Sequence, residues 1–478
     1  MMARLPQTVK KLLEALSTRE EVYVAGGPVR DTLLGRAFKD IDLTVPSGAR
    51  ELAKKIAHDF QGRLIILDEE EEVFRVAVEG FFLDFSRFRK GALDITEDLK
   101  ERDFTINALA VSLKEFLNLP PSRWSLIDPL AGRKDLARRL VRAIGRENLS
   151  DDPLRMLRGY RLAAELSFNL EADTRKWIRE LATEIEKVAR ERITAEIKAL
   201  FAQKAGPLVS LMAEDEILFV IFPELEEARG VSQPSFHHLD VFGHLLLSLE
   251  MEDLIIEAPE RYFGLPEEAH NPFEEAQKDP QKQIILRLAA LFHDVGKPKT
   301  FAIRHRITFY EHDRVGAEIF WHLGERLRFP KRLSKEVAHL IRHHMRPFHL
   351  LREFREGRLT RRAMRRLIKD VPRYEMLFMV AMADSLASAG PDKEPGLEQK
   401  LAALFWEIHR FHQETLAVQE RERLVTGKDL IDLFGLEPGP LFRELLEAVE
   451  EARAEGLVKT REDALSYLTN LIREKYAS

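Results

Sequence analysis

At 478 residues the chain exceeds what one hydrophobic core organises, so two to four domains are expected. A formal net charge of −6, with 45% hydrophobic and 32% charged residues, describes a charge-rich folded protein, and the absence of cysteine excludes disulfides, thiol catalysis and cysteine-ligated zinc together. No run approaches the roughly 18 apolar residues of a membrane span, and the start, Met1-Met2-Ala3-Arg4-Leu5-Pro6, shows no secretory h-region, so the expected location is the cytoplasm with no membrane partner.

Strand-like segments concentrate between residues 22 and 111. Val22–Ala25, Ile41–Val45, Arg63–Leu67, Phe74–Val78 and Phe81–Phe85 are short and apolar or alternating. A helical pattern over 47–60 puts Leu52, Ile56 and Ala57 on one face. This spacing predicts a small α/β domain over 1–145. From Asp152 the period turns helical, and Arg155–Leu166, Thr174–Ala189 and Ile193–Ala202 predict a helical neck over 146–205. A second helical unit is expected over 206–410, interrupted by the loop-like stretch Gly264–Asp279. A helical tail over 411–478 contains a turn at Gly435–Pro440 and a long helix from about Leu441. The fold class is therefore multidomain α+β, a mixed-sheet head followed by all-α segments.

Two stretches are locally basic despite the acidic total. One runs through Arg133, Lys134, Arg138, Arg139, Arg142 and Arg146 to Arg155, Arg158 and Arg161; the other is Arg352–Arg373, with Arg361/Arg365 and Arg362/Arg366 at i,i+4. Patches of this kind contact phosphates whatever the overall balance, or serve simply as solvated helix faces.

The chemistry concentrates in the head. Gly26-Gly27-Pro28-Val29-Arg30-Asp31 follows the first strand and opens a helix, a turn that lets backbone N–H groups approach phosphate. Alone it reads as a tight turn. Asp40-Ile41-Asp42 follows, with both carboxylates on one strand face, where they repel unless a cation neutralises them. Oxygen-only ligands suit Mg²⁺, and Asp84, central in a later strand, is positioned to complete a two-metal site.

The segment Ala25–Val45, AGGPVRDTLLGRAFKDIDLTV, resembles the signature of the class II tRNA nucleotidyltransferase and poly(A) polymerase family. Three further blocks match in order: Arg102–Ala108 resembles the RRDFTINA motif with Glu101 replacing its first Arg, Asp128–Gly132 matches the stretch before the neck, and Asp151–Arg155 resembles EDxxR with Asp151 in place of Glu. The resemblance implies a polymerase-β-like head that uses Mg²⁺ on Asp40 and Asp42, with Asp84 as the third strand acid. It implies that Gly26, Gly27 and Arg30, helped by Arg158, cradle the triphosphate, that Arg102, Asp103 and Asn107 position the sugar, and that Asp152 and Arg155 read the incoming base. The implied partners are tRNA, CTP and, for a complete CCA end, ATP.

One departure bears on specificity. Between Phe88-Arg89 and Asp98-Leu99-Lys100 stand only Lys90-Gly91-Ala92-Leu93-Asp94-Ile95-Thr96-Glu97, where complete CCA-adding members have a long loop. CC-adding members are marked by such shortening, so the resemblance favours a CC-adding enzyme with a separate A-adding partner; the alternatives are a full CCA-adding enzyme or a poly(A) polymerase.

Most of the 15 histidines lie between residues 237 and 349, many amid apolar residues. Mixed imidazole and carboxylate ligands suit Zn²⁺, Ni²⁺, Mn²⁺ or Fe. This region resembles the HD phosphohydrolase domain, which implies His244, His293, Asp294 and Asp384 as metal ligands and His312 and His343 as additional ones. A different reading follows, in which the chain is chiefly an HD phosphohydrolase with a nucleotide-binding head. A non-catalytic RNA-binding protein is a third, against which the set Asp40, Asp42 and Asp84 argues.

Overall fold

The computed structural model describes residues 6–19, 21–265, 271–416, 424–454 and 456–476. The chain separates into two compact units, Met1–Gln203 with Leu208–Ile221 and Lys204–Pro207 with Phe222–Ser478.

The first unit carries the expected mixed sheet. Its strands are β1 (Tyr23–Ala25), β2 (Asp40–Val45), β3 (Arg63–Asp68), β4 (Val73–Val78), β5 (Phe81–Arg87) and β6 (Ala110–Ser112), in the six-stranded order β3-β4-β5-β2-β1-β6. β4 and β5 form a hairpin whose loop, Glu79-Gly80, has φ of 48° and 79°, the doubly positive pair that matches strand twist. That turn fixes Val78 opposite Phe81 and hence Arg75 opposite Asp84. β5 then runs parallel to β2, with Asp84 beside Asp42.

Helix Ala49–Asp59 covers β3, β4 and β5 with Ala49, Leu52, Ala53 and Ile56. Ala57 is only half-buried, and Ala53 takes its place on the apolar stripe. Phe74, Val76 and Val78 alternate into the core from β4, which is why this segment reads as a strand. β6, paired with β1, is too short to give a pattern in sequence.

The neck helices are Leu154–Leu166, Ala172–Leu181 and Arg190–Phe201. The single helix expected over 174–189 divides, tightening to a 3₁₀ segment at Ala182–Lys187 in which Ala182 and Ile185, three apart, share the buried face. A buried acid knots this region. Asp215, fully buried, accepts from Tyr160 Oη at 2.7 Å, from Arg175 Nε and Nη2 at 2.9 Å each, and from Arg179 Nη2 at 3.0 Å.

In the second unit, helix Pro280–Phe292 is buried on all sides from Ile284 onward, and Tyr374–Ala387 is nearly so, which makes them the centre of the helical body. Val241–Glu257 packs on both, and His312–Arg326 on Lys331–His343. The stretch expected as loop contains helix Glu274–Lys278; residues 266–270 lie outside the described residues, as do 417–423 of the expected tail. Helices Gly427–Phe434, Pro440–Ala454 and Arg461–Tyr476 close a small core of their own on Leu430, Leu445, Val449 and Leu468. Among the described residues no helix is long and apolar enough to cross a membrane.

Candidate active site

Every head residue singled out from the sequence, together with three of the neck, lines one cavity of about 480 Å³: Gly26, Gly27, Arg30, Asp40, Asp42, Asp84, Arg102, Asp103 and Asn107 from the head, and Asp152, Arg155 and Arg158 from the neck. The floor is set by the β2–β5 register. Asp40 and Asp42 leave the same face of β2, and Asp84 stands level with Asp42 on the neighbouring strand. Gly26 adopts φ 76° and ψ −129° and closes on these acids so tightly that a Cβ there would lie 3.3 Å from Asp42 Oδ2 and 2.9 Å from Arg102 Nη1. The glycine is thus demanded twice, by conformation and by space.

Burial raises the pKa of Asp40 and pushes Asp42 up to about 6; for Asp42 the pull of Arg102 is outweighed, and the Asp84 charge adds repulsion. An all-oxygen set with mutually repelling carboxylates fits a hard divalent cation such as Mg²⁺. Asp84 is oriented by a residue that sequence reasoning missed. Arg75 donates Nε and Nη2 to its two oxygens, both at 2.7 Å. Counting outward from the Glu79-Gly80 turn would have found that pairing.

The remaining groups are held ready by one another. Arg30 donates to both oxygens of Asp31, at 2.9 and 3.0 Å, and to Asn107 Oδ1 at 2.7 Å. Asn107 Nδ2 in turn donates to Asp103 Oδ1 at 3.1 Å, and Arg158 Nη2 lies 3.2 Å from Asp103 Oδ2. Burial opposes the Asp103 charge, but Arg158 and Asn107 prevail and hold its pKa down at about 2. Arg102 donates to Asp98 at 3.2 Å and to Thr44 Oγ1 at 3.0 Å. Asp152 and Arg155 are anchored separately: Asp152 Oδ2 accepts from Arg192 at 3.0 Å, while Arg155 donates to the carbonyls of Glu101, Arg102 and Asn148 at 3.0–3.2 Å.

Part of the basic stretch around the neck is neutralised within the fold. Arg142 pairs with Asp135 and Glu171, Arg146 with Glu180, and Arg161 with Glu165 and Glu196. On helix Arg361–Asp370 the residues Arg361, Arg362 and Arg366 are exposed, while Arg365 is half-buried.

The second unit gathers histidines at two adjoining sets. His244, His293 and Asp384 form one; Asp294, His312 and His344 form the other, with the ligand atoms of each set within 4.8 Å of one another. Asp294 faces both, Oδ2 lying 3.2 Å from His293 Nε2 and Oδ1 lying 3.3 Å from His312 Nε2. His293, His312 and His344 place Nδ1 at 2.7–2.9 Å from the backbone carbonyls of Ala290, Phe309 and Ile341. A proton on each Nδ1 leaves the Nε2 lone pairs converging, which fits divalent metal. Burial opposes charge on His293, yet Asp294 and Asp384 raise its pKa to about 10.

One expected ligand is corrected. His343 turns to His339 instead, with ring centroids 4.6 Å apart, and the buried His344 occupies the place beside His312. Two adjacent histidines at a helix end are not separable by pattern alone. Lys297, also missed, sits 2.5 Å from Asp294 Oδ2, one helical turn after it.

Comparison with known proteins places this geometry. Residues 22–142 match the poly A polymerase head domain, 167–229 a probable RNA and SrmB-binding site of polymerase A, 263–386 the HD domain, and 327–468 a putative tRNA nucleotidyltransferase domain 2. The chain is 33% identical over 465 residues to an A-adding tRNA nucleotidyltransferase of Deinococcus radiodurans, covering 94% of this chain and 95% of that protein. It is 34% identical over 469 residues to a CC-adding tRNA nucleotidyltransferase of Thermus thermophilus, covering 94% of each. The chain belongs to the tRNA nucleotidyltransferase and poly(A) polymerase family. The fold of the family extends over the chain: a CCA-adding enzyme solved with ATP superposes with a TM-score of 0.63 at 20% identity, covering 99% of this chain and 96% of that one. The Thermotoga maritima CCA-adding enzyme complexed with tRNA gives 0.61 at 20%, covering 98% and 97%. The HD match begins after His244, so the helix that brings His244 to the histidine cluster lies outside the matched span.

Proposed function

We propose that the protein adds CMP from CTP to the 3′ end of tRNA, stopping after two cytidines and releasing pyrophosphate at each step. The observation that carries the reading is the register of Asp42 against Asp84 beside the Gly26 turn. Bound at Asp40 and Asp42, with Asp84 completing the set, Mg²⁺ would supply charge neutralisation at the α-phosphate and the leaving pyrophosphate. The protein groups do the positioning. Gly26, Gly27, Arg30 and Arg158 face the triphosphate, Arg102, Asp103 and Asn107 orient the sugar, and the primer hydroxyl is directed in line at the α-phosphate. Asp152 accepts from the exocyclic amine of the base and Arg155 donates to its ring acceptor, a pattern offered by C and A and not by U or G.

The restriction to C is supported by the turn after β5, which is a single 3₁₀ segment, Arg89–Gly91, and not a long loop. The exposed arginines of helix Arg361–Asp370 supply a phosphate-binding face for tRNA, read by shape. Labelled CTP and ATP, offered separately to tRNAs ending before CCA, after C and after CC, test the proposal. Efficient AMP addition to the CC-ended tRNA would refute the restriction, and a separate A-adding enzyme would then be unnecessary.

A second reading concerns the histidine cluster. The two sets joined by Asp294 suit a pair of Zn²⁺, Ni²⁺, Mn²⁺ or Fe ions and a phosphoester hydrolysis distinct from nucleotide addition. Asp40→Ala should abolish CMP incorporation and leave phosphodiesterase activity, whereas Asp294→Asn should do the reverse.

A further inference from the structure

We propose that Lys90 is a positioning residue that ties the base-reading pair to the catalytic sheet and so restricts which base is accepted. Lys90 lies in the turn that continues β5, the strand of Asp84. That turn is rigidly held: Arg89 donates its backbone N at 2.9 Å and its Nη1 at 3.1 Å to Asp98 Oδ1, and Asp98 is fully buried. From this platform Lys90 Nζ reaches Glu101 Oε2 at 2.8 Å and Asp151 Oδ2 at 2.5 Å. Glu101 offers its carbonyl to Arg155 Nη2 at 3.1 Å, and Asp151 directly precedes Asp152. One ammonium therefore links the end of the catalytic strand to the immediate supports of both base-reading residues.

The two carboxylates it joins are the two positions where the sequence leaves the motifs it otherwise follows, with Glu101 standing in place of Arg and Asp151 in place of Glu. An arginine at 101 would repel Lys90; a glutamate there completes the cluster. Cytosine and adenine show the same order of amine donor and ring acceptor, but a purine carries that edge farther from its sugar. With the sugar fixed, reading adenine requires Asp152 and Arg155 to shift outward together, and a tie to β5 opposes the shift.

This inference rests on the CC-adding reading, and the experiment separates the two. CMP and AMP incorporation into tRNA ending in CC and in C are measured for the wild type, Lys90→Met and Lys90→Arg, with a melting curve for each. Exposed ion pairs add little to stability, so all three proteins should melt within about 2 °C of one another. The wild type should add only a trace of AMP to the CC end, far below its CMP addition to the C end; if it adds AMP readily, the CC-adding reading itself falls. Lys90→Met should keep CMP addition and raise the AMP-to-CMP ratio by about three-fold or more, and Lys90→Arg should restore wild-type selectivity. A wild type that stops at CC, with Lys90→Met leaving the ratio unchanged or losing both additions equally, would overturn the role of Lys90 and leave the reading standing.

Discussion

Replacing Gly26 with alanine tests whether the glycine turn and the acids form one construction. At φ 76° and ψ −129° an L-residue is strained, typically by about 1–3 kcal/mol. The new methyl would also stand 2.9 Å from Arg102 Nη1. Arg102 cannot swing aside freely, because Asp98 and Thr44 hold its other nitrogens, and surrendering a charged hydrogen bond costs about 1.5–3 kcal/mol. Together these come to about 2.5–6 kcal/mol, which at about 2–4 °C per kcal/mol lowers the melting temperature by on the order of 10 °C. Because Asp42 Oδ2 lies 3.3 Å from the same methyl, CMP incorporation should fall by about 10²-fold even at temperatures where the protein is folded. Gly35→Ala is the control: φ is 69° there too, but nothing lies within 4 Å of a Cβ, so strain without loss of activity is expected. If Gly26→Ala melts within about 2 °C of wild type and incorporates CMP within about three-fold of it, the turn does not brace the acids.

Asp42 carries a pH signature: its folded pKa of about 6 exceeds the unfolded 3.8, so its contribution to stability is present below about pH 3.8 and lost as pH rises through 6. Relative to Asp42→Asn, the metal-stripped wild type should lose up to about 3 kcal/mol over that window in calorimetric melts, and Mg²⁺ should restore it. Asp215→Ala leaves Tyr160, Arg175 and Arg179 without their shared acceptor; a cost of about 3–5 kcal/mol is expected in denaturant unfolding, with nucleotide addition retained at low temperature. His344→Ala should lower the bound metal, counted by elemental analysis, by about one ion per chain, whereas His343→Ala should leave it unchanged.

The head was readable because its chemistry is written locally. A strand, a double glycine and two acids two residues apart carry their geometry with them, since alternation along β2 places Asp40 and Asp42 on one face whatever surrounds them. Asp84 was singled out as an acid central in a later strand, but its place beside Asp42 depends on a parallel pairing across more than forty residues of intervening chain, which no local pattern reports. Arg75 was legible in principle from the hairpin count, but the two-residue turn at Glu79-Gly80 had first to be recognised. In the helical body, His244, His293 and Asp384 come from helices Val241–Glu257, Pro280–Phe292 with its end, and Tyr374–Ala387, and no sequence period reports that three helices converge. The choice between His343 and His344 turns on one step of helical rotation at the end of Lys331–His343, which tertiary packing decides.

The turn after β5 is fastened at both ends by bonds separate from those that Arg89 and Lys90 make in its middle. Phe88 N bonds Val45 O at 3.0 Å on the strand side, and Asp94 caps helix Ile95–Lys100 by accepting from Glu97 N at 2.9 Å on the other. Extra residues inserted between those fasteners would bulge into solvent while both ends stayed moored, and doubling such a loop costs only about 0.6 kcal/mol in closure entropy. Chain length at this spot is therefore nearly invisible to folding, which leaves it open to be lengthened or trimmed for the sake of chemistry alone.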